Sequence, residues 1–145
     1  MAALQPLPPA SQTMVDDLGA RSFEAEQRGD MALSESLLLQ AWAAIPEPRL
    51  SYDPAPSLAV DITAFYRDLG NIEQSHAWLA VAREGYGPGP NPHTEFLAAT
   101  VHYRAGEKDQ AFEIFDALYR QYKKRPFQGS APEYLAFYLA LRPMR

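Results

Sequence analysis

Cysteine is absent from this sequence of 145 residues. Its absence excludes disulfide bonds, zinc sites built on thiolates, and catalysis by a cysteine nucleophile. A chain of this length forms one domain, and a core of that size needs neither a metal ion nor a disulfide for stability. Because 47% of the residues are hydrophobic and 12% are aromatic, the composition favours a folded globular protein.

The sequence also lacks segments that would direct a chain into or through a membrane. Its first residues, MAALQPLPPASQTM, contain neither a basic stretch nor an apolar stretch, so they do not resemble a signal peptide. No apolar run approaches the roughly 18 residues that indicate a membrane-spanning helix. We therefore expect a cytoplasmic protein that does not bind a membrane.

Motifs of catalysis and metal binding are missing as well. The three histidines, His76, His93 and His102, include no pair at the i, i+4 spacing that places two metal ligands on one helix face. There is no GxSxG element, no Walker loop and no GxGxxG element, and the segment GYGPGPNP reads as a loop. We expect no enzymatic activity, no catalytic residue, no metal and no cofactor.

Charge is divided unevenly along the chain. Residues 1–73 hold 11 Asp and Glu against 4 Lys and Arg, whereas residues 74–145 hold 7 against 9. The acidic half disfavours nucleic acid, because phosphate binding requires clustered cations. It suits a basic protein partner, although a solvated acidic surface would have the same composition. The basic cluster RQYKKR (120–125) falls at the predicted end of a helix, where cations complement the helix dipole.

What the sequence does contain is a repeated pattern centred on three glycines. Gly29, Gly70 and Gly106 each follow a stretch of helical periodicity and precede a polar residue and a second helical stretch. Glycine adopts left-handed backbone geometry without a Cβ penalty, so each is predicted to end one helix where the chain reverses. The spacings of 41 and 36 residues predict three helical hairpins, with proline-rich loops at 45–57 and 85–93.

The predicted helices have recognisable buried faces and caps. First helices are expected near 11–28, 57–69 and 93–105, and Asp30 and Asn71 are expected to cap the helices that follow. The buried stripe of the second helix is predicted as Met31, Ser34, Leu38, Ala41, Trp42 and Ile45, and that of the sixth as Ala111, Phe115, Leu118, Tyr119 and Tyr122. Trp42 and Trp78 are expected in the core.

Each hairpin resembles a tetratricopeptide repeat (TPR). In that family small residues let neighbouring helices approach closely, and the corresponding positions are Ser22, Ser34, Ala41, Thr63, Ser75, Ala82, Ala99 and Ala111. Serine replaces alanine in two units, and two units lack the proline that ends a repeat. The resemblance implies an all-α, TPR-like α-solenoid of three helical hairpins plus a C-terminal helix near 132–142. An N-terminal arm (1–10) precedes a single domain (11–145) with repeats near 15–48, 56–89 and 92–125.

A narrower resemblance implies a function. The leading LPP, the unit GPNPHTEFLAATVHYRAGEKDQAFEIFDALY and the ending APEYLAFYLALR resemble small bacterial TPR proteins encoded beside polymorphic or type VI secretion toxins. It implies an immunity protein that neutralises a cognate toxin or effector by occlusion. The alternative is a secretion chaperone or adaptor that holds a peptide or effector in the concave groove.

The family pattern also implies which residues contact the partner. The concave positions of the first helices carry a set that is acidic at one end and aromatic and basic at the other. For Phe23 and Phe96, packing against the next helix is an equally good interpretation. The expected contacts are Asp16, Phe23, Glu26, Gln27, Arg67, Asp68, His93, Phe96, Thr100, Tyr103 and Arg104.

Overall fold

The fold is a series of helical hairpins in a computed structural model that describes residues 3–144. The helices of these residues are α1 (Pro9–Gln27), α2 (Met31–Ala43), α3 (Pro54–Leu69), α4 (Ile72–Tyr86), α5 (Pro92–Arg104), α6 (Lys108–Tyr122) and α7 (Pro132–Leu141). Residues 3–144 contain no strand and a single isolated bridge, between Gln5 and Tyr52. The hairpins α1–α2, α3–α4 and α5–α6 pack in chain order and α7 packs on α6, so the all-α prediction is confirmed.

The three hairpins turn with the same backbone geometry. Gly29, Gly70 and Gly106 have φ angles of 80°, 82° and 83°, in the left-handed region. The residue after each glycine donates its backbone N–H to the carbonyl five residues earlier, at 2.9 Å in all three turns. In each turn this hydrogen bond satisfies a carbonyl that the end of a helix otherwise leaves unpaired. The predicted reversal points are therefore confirmed.

We expect Gly70→Ala to destabilise the protein by about 1–2 kcal/mol, because an L-residue is strained at a φ of 82°. Gly19→Ala is the matched control, since Gly19 lies inside α1 and helix propensity there favours alanine by about 1 kcal/mol. An added Cβ would meet no atom within 4 Å at either position, so the backbone alone separates the two variants. Equal shifts in urea denaturation would contradict the assigned geometry.

Two of the second helices are capped as predicted. The Asp30 side chain accepts a hydrogen bond from Leu33 N at 3.1 Å, and the Asn71 side chain accepts one from Gln74 N at 3.2 Å. The third hairpin differs, because the Glu107 side chain does not cap α6 and instead pairs with His102 Nδ1 at 3.1 Å.

The predicted small residues lie at the contacts between helices. All eight are buried, and their exposure does not exceed 3%. The Ser22 hydroxyl donates to the Ser34 carbonyl at 2.8 Å, and Thr63 donates to its own helix at Ala59 O, so close packing leaves these hydroxyls hydrogen-bonded. Side chains of this size allow two helix backbones to approach more closely than leucine would.

The interior has a mainly aliphatic part, which also includes Phe65 and Tyr66, and an aromatic part. We call these the aliphatic part and the aromatic part. The aliphatic part joins the arm, α1, α2 and α3 through Leu7, Val15, Leu18, Leu37, Ile45, Leu58 and Ile62. The aromatic part joins α5, α6 and α7 through Phe96, Phe112, Phe115, Phe127, Tyr134 and Tyr138. Trp42 and Trp78 are partly buried against the aliphatic part and meet edge to face, with ring centroids 5.1 Å apart.

No helix in the described part of the chain has the length and hydropathy needed to cross a membrane.

One local prediction is wrong. The buried stripe predicted for α2 includes Met31, but Met31 is 37% exposed, and Leu37 is buried instead. Met31 is the first residue of α2, beside the turn.

The N-terminal arm is attached to the domain. Leu7 is buried, and Gln5 exchanges backbone hydrogen bonds with the loop, at 2.9 Å to Ser51 O and 2.7 Å from Asp53 N.

Two tyrosine–carboxylate hydrogen bonds each link the second helix of a hairpin to the helix that follows it. Tyr66 of α3 donates to Glu35 of α2, and Tyr138 of α7 donates to Asp116 of α6, each at 2.6 Å. Burial comes first among the causes that raise the pKa of both tyrosines to about 12, and the hydrogen-bonded carboxylate adds to it. Both hydrogen bonds require the neutral phenol, because a phenolate has no proton to donate.

These shifts predict a loss of stability in alkali. The folded pKa lies above the ordinary value of about 10, so the stabilisation is complete below pH 10 and is lost as pH rises towards 12. We expect the difference in unfolding free energy between wild type and Tyr66→Phe or Tyr138→Phe to shrink over that range. Urea denaturation at pH 8 and pH 11.5 measures it. A constant difference would contradict the assigned hydrogen bonds.

Candidate functional site

The first helices of the hairpins line two adjoining clefts. The α1–α3 cleft has a volume of about 440 Å³, and α2 provides its floor. Its described lining is Gly19, Ser22, Phe23 and Glu26 from α1, Ser34 and Leu38 from α2, and Leu58, Asp61, Ala64, Phe65 and Asp68 from α3. Aromatic and aliphatic side chains thus share this cleft with three carboxylates.

The second cleft lies between α3 and α5 and has a volume of about 610 Å³. Its helical lining is Val60, Ala64, Arg67, Pro92, His93, Phe96 and Leu97. A wall is added by Tyr122, Arg125 and Pro126 and by residues 128–130 of the loop before α7. Ala64 lines both clefts, so they form one continuous surface, which we call the groove.

Phe23 is the most exposed large hydrophobic side chain in the described part of the chain. It lines the α1–α3 cleft with 62% of its surface accessible, whereas most large apolar residues are buried in the core. Exposed aromatic side chains in a concavity are common binding anchors, because they contribute large apolar area with little loss of side-chain entropy. The packing interpretation of Phe23 is therefore excluded by its exposure.

Phe96 has the opposite environment. Only 9% of it is exposed, and its ring lies 5.5 Å from Phe115, 5.2 Å from Phe127 and 6.1 Å from Tyr134. It lines the floor of the α3–α5 cleft only with the small part of its surface that remains accessible. Its main role is to pack the aromatic core.

The charged residues between the clefts are already paired with one another. Arg67 donates to both carboxylate oxygens of Asp68, at 2.9 and 3.2 Å, and its remaining nitrogen donates to Thr100 Oγ1 at 2.9 Å. Thr100 is completely buried and donates in turn to Leu97 O. Thr100 therefore cannot touch a partner in this conformation, and its role is to hold the Arg67 guanidinium.

The aromatic–basic end forms a second internal network. Arg104 pairs with Glu133 of α7 at 3.1 Å and lies 3.9 Å from Asp68. Tyr103 packs edge to face on Tyr134 and Phe137, and the Lys108 ammonium lies 3.3 Å above its ring. Neither Tyr103 nor Arg104 lines the groove. Tyr103 is half-buried against α7 and Lys108, and Arg104 pairs with α7 but remains exposed.

Asp61 is a carboxylate of the groove that is not among the partner contacts expected from the sequence. It makes no hydrogen bond or ion pair with the described residues. The residue is exposed as a whole, yet desolvation raises the pKa of its carboxyl, with a smaller opposing effect of His93. Exposure and partial desolvation occur together in a concave site, where protein surrounds a side chain that water still reaches. The Asp61 charge also helps to raise the pKa of Tyr86, whose ring contacts His93.

The structure brings together about half of the predicted contact residues. Phe23, Glu26, Arg67, Asp68, His93 and Phe96 line the groove, whereas Asp16, Gln27, Thr100, Tyr103 and Arg104 do not. Asp61 could have been found in the sequence, because it is the one charged residue in the apolar segment 54–66. The wall formed by Arg125 and residues 128–130 carries no such signal, since its place depends on how the loop before α7 folds back.

The groove offers a binding surface with an apolar floor and charged edges. No group of three His, Asp or Glu side chains in residues 3–144 is arranged to hold a metal ion. Comparisons with protein families, with curated proteins and with solved structures found no match.

Proposed function

We propose that this chain is a non-enzymatic protein-binding scaffold, and that it acts as an immunity protein that neutralises a cognate bacterial toxin by occlusion. The observation that carries the binding function is the groove itself, with Phe23 exposed inside it. A partner protein that covered the Phe23 ring would remove apolar surface from water, and this burial would stabilise the complex.

The protein-binding role is supported by the repeat pattern, and the immunity role by the resemblance to small bacterial TPR proteins encoded beside toxins. The three turns share one geometry, and the small residues of the TPR pattern are buried at the helix contacts. Both are what tetratricopeptide repeats require, and TPR arrays present such faces to protein ligands. Occlusion needs no chemistry from the scaffold, only a preformed surface of about 800 Å² per partner. The hydrogen bond from Arg67 to Thr100 joins α3 to α5 beside the groove, so this part of the surface is preformed.

Co-expression tests the proposal. Each gene that flanks this one is expressed in a bacterial host with and without the chain, and growth is measured. We expect one flanking product to arrest growth alone and to be tolerated when the chain is present. A product that is harmless, but accumulates only with the chain, would instead indicate a chaperone. If the chain neither protects against nor binds a flanking product, the immunity proposal is wrong.

A further inference from the structure

Two carboxylates in the α1–α3 cleft have no ion-pair partner. Asp68 is paired with Arg67, but the side chains of Glu26 and Asp61 make no ion pair or hydrogen bond with the described residues. None of the described residues that line this cleft is a lysine or an arginine. His93 opposes the Asp61 charge, but its effect on the pKa is smaller than that of desolvation, so the cleft keeps a local negative charge.

Desolvation distinguishes Asp61 from the acidic residues of the outer surface. An aspartate on a convex surface is fully hydrated, and its charge is stabilised by water. Asp61 is still reached by water, but it lies in the cleft and has lost part of that hydration without gaining a hydrogen bond in return, which is why its pKa is raised. A carboxylate in this state gains more from a cation of a partner than a hydrated carboxylate does, because less water must be removed.

The neighbouring aromatic ring adds a second requirement. Phe23 lines the same cleft and exposes most of its ring. Aromatic faces attract guanidinium and ammonium groups, and a long basic side chain has an apolar stem that can pack on a ring. Arginine satisfies both groups better than lysine, because its planar guanidinium can stack and can also donate two parallel hydrogen bonds to one carboxylate.

On this basis we infer that the α1–α3 cleft is a receptor for an arginine side chain of the partner protein, with Asp61 as the residue that determines this specificity. The inference rests on the proposed function, since it names the chemistry of the partner that the groove holds. Asp61 receives the guanidinium, Phe23 packs against the stem and the guanidinium plane, and Glu26 adds a second negative charge. The partner presents a basic residue that projects from its surface and is flanked by apolar side chains.

Selection from a phage-displayed library of random 12-residue peptides tests this inference. Peptides are selected on immobilised wild-type protein, and their affinities are measured for wild type, Asp61→Asn and Asp17→Asn. Asp17 is the matched control, because it is an exposed aspartate of α1 outside the cleft. We expect an enriched arginine, and affinity about 10-fold to 100-fold weaker for Asp61→Asn, the range for a hydrogen bond between charged groups. The Asp17→Asn variant should bind like wild type.

A change in the peptide provides a readout that does not depend on the folding of a variant. Replacing the enriched arginine with glutamine should weaken binding to wild type by a similar factor, with little further loss on Asp61→Asn. Enriched peptides without a basic residue, or with affinity unchanged by Asp61→Asn, would overturn the arginine receptor and leave the groove as a binding site. Failure to enrich any peptide would also overturn the receptor, and co-expression with the flanking genes would then test the function separately.

Discussion

Phe115→Ala is expected to destabilise the protein by about 3–5 kcal/mol, the range for removing a buried phenylalanine side chain. Phe115 is completely buried, and its ring lies 5.3 Å from Phe127 and 5.5 Å from Phe96. These three rings join α5, α6 and the loop before α7, so a cavity here loosens three elements at once. The expected fall in the thermal midpoint is about 10–20 °C for a chain of this size.

The same substitution at an exposed position is the control. Phe23→Ala removes the same atoms from a ring that is 62% accessible, so it should change the free energy of unfolding by less than about 0.5 kcal/mol. Thermal denaturation followed by circular dichroism compares the two variants directly. Equal midpoints for Phe115→Ala and Phe23→Ala would show that the assigned packing of α6 is wrong.

The opposite ranking is expected for binding. Phe23→Ala should weaken the complex with the cognate toxin by about 30-fold or more, as expected for an anchor worth at least 2 kcal/mol. Met14→Ala is the control, because Met14 is 55% exposed on the same helix but does not line the groove. Titration calorimetry gives both affinities. An unchanged affinity for Phe23→Ala, or equal losses for the two variants, would place the contact outside the α1–α3 cleft.

The parts of the fold that the sequence predicted are those set by local chemistry. Three such features are a glycine that must adopt a positive φ, an Asp or Asn that caps the next helix, and a small residue at a helix contact. Each depends only on one turn or on one pair of crossing helices. Gly70, Asn71 and Ser75 show all three in succession, and each prediction is confirmed. Such positions are readable because the requirement and the residue are neighbours in the sequence.

The parts of the groove that were not predicted depend on distant contacts. The repeat pattern assigns Tyr103 and Arg104 to an open face, but α7 packs on Tyr103 and pairs with Arg104, which stays exposed beside the groove. Thr100 occupies a position of the same pattern, yet it is buried beneath Arg67. A periodic pattern gives the direction of a side chain on its helix and contains no information about which later segment covers it.

Asp61 illustrates a different gap between sequence and site. Its charge is visible in the sequence, but its importance comes from what surrounds it and from the absence of a hydrogen bond or ion pair within residues 3–144. Asp68 has the same type of side chain on the same helix and is neutralised by Arg67. Only the three-dimensional arrangement separates the two aspartates, and it points to the one that is free to bind.

We propose that the partner binds along the first helices of the hairpins. Amide hydrogen exchange of the chain, measured with and without the toxin, tests this location of the partner most directly. We expect exchange to slow in α1, α3 and α5 and in residues 125–130, which line the groove, while α4 and the outer part of α2 stay unchanged. Slower exchange confined to α2, α4 and α6, with none in α1 and α3, would contradict the claim and place the partner on the opposite face.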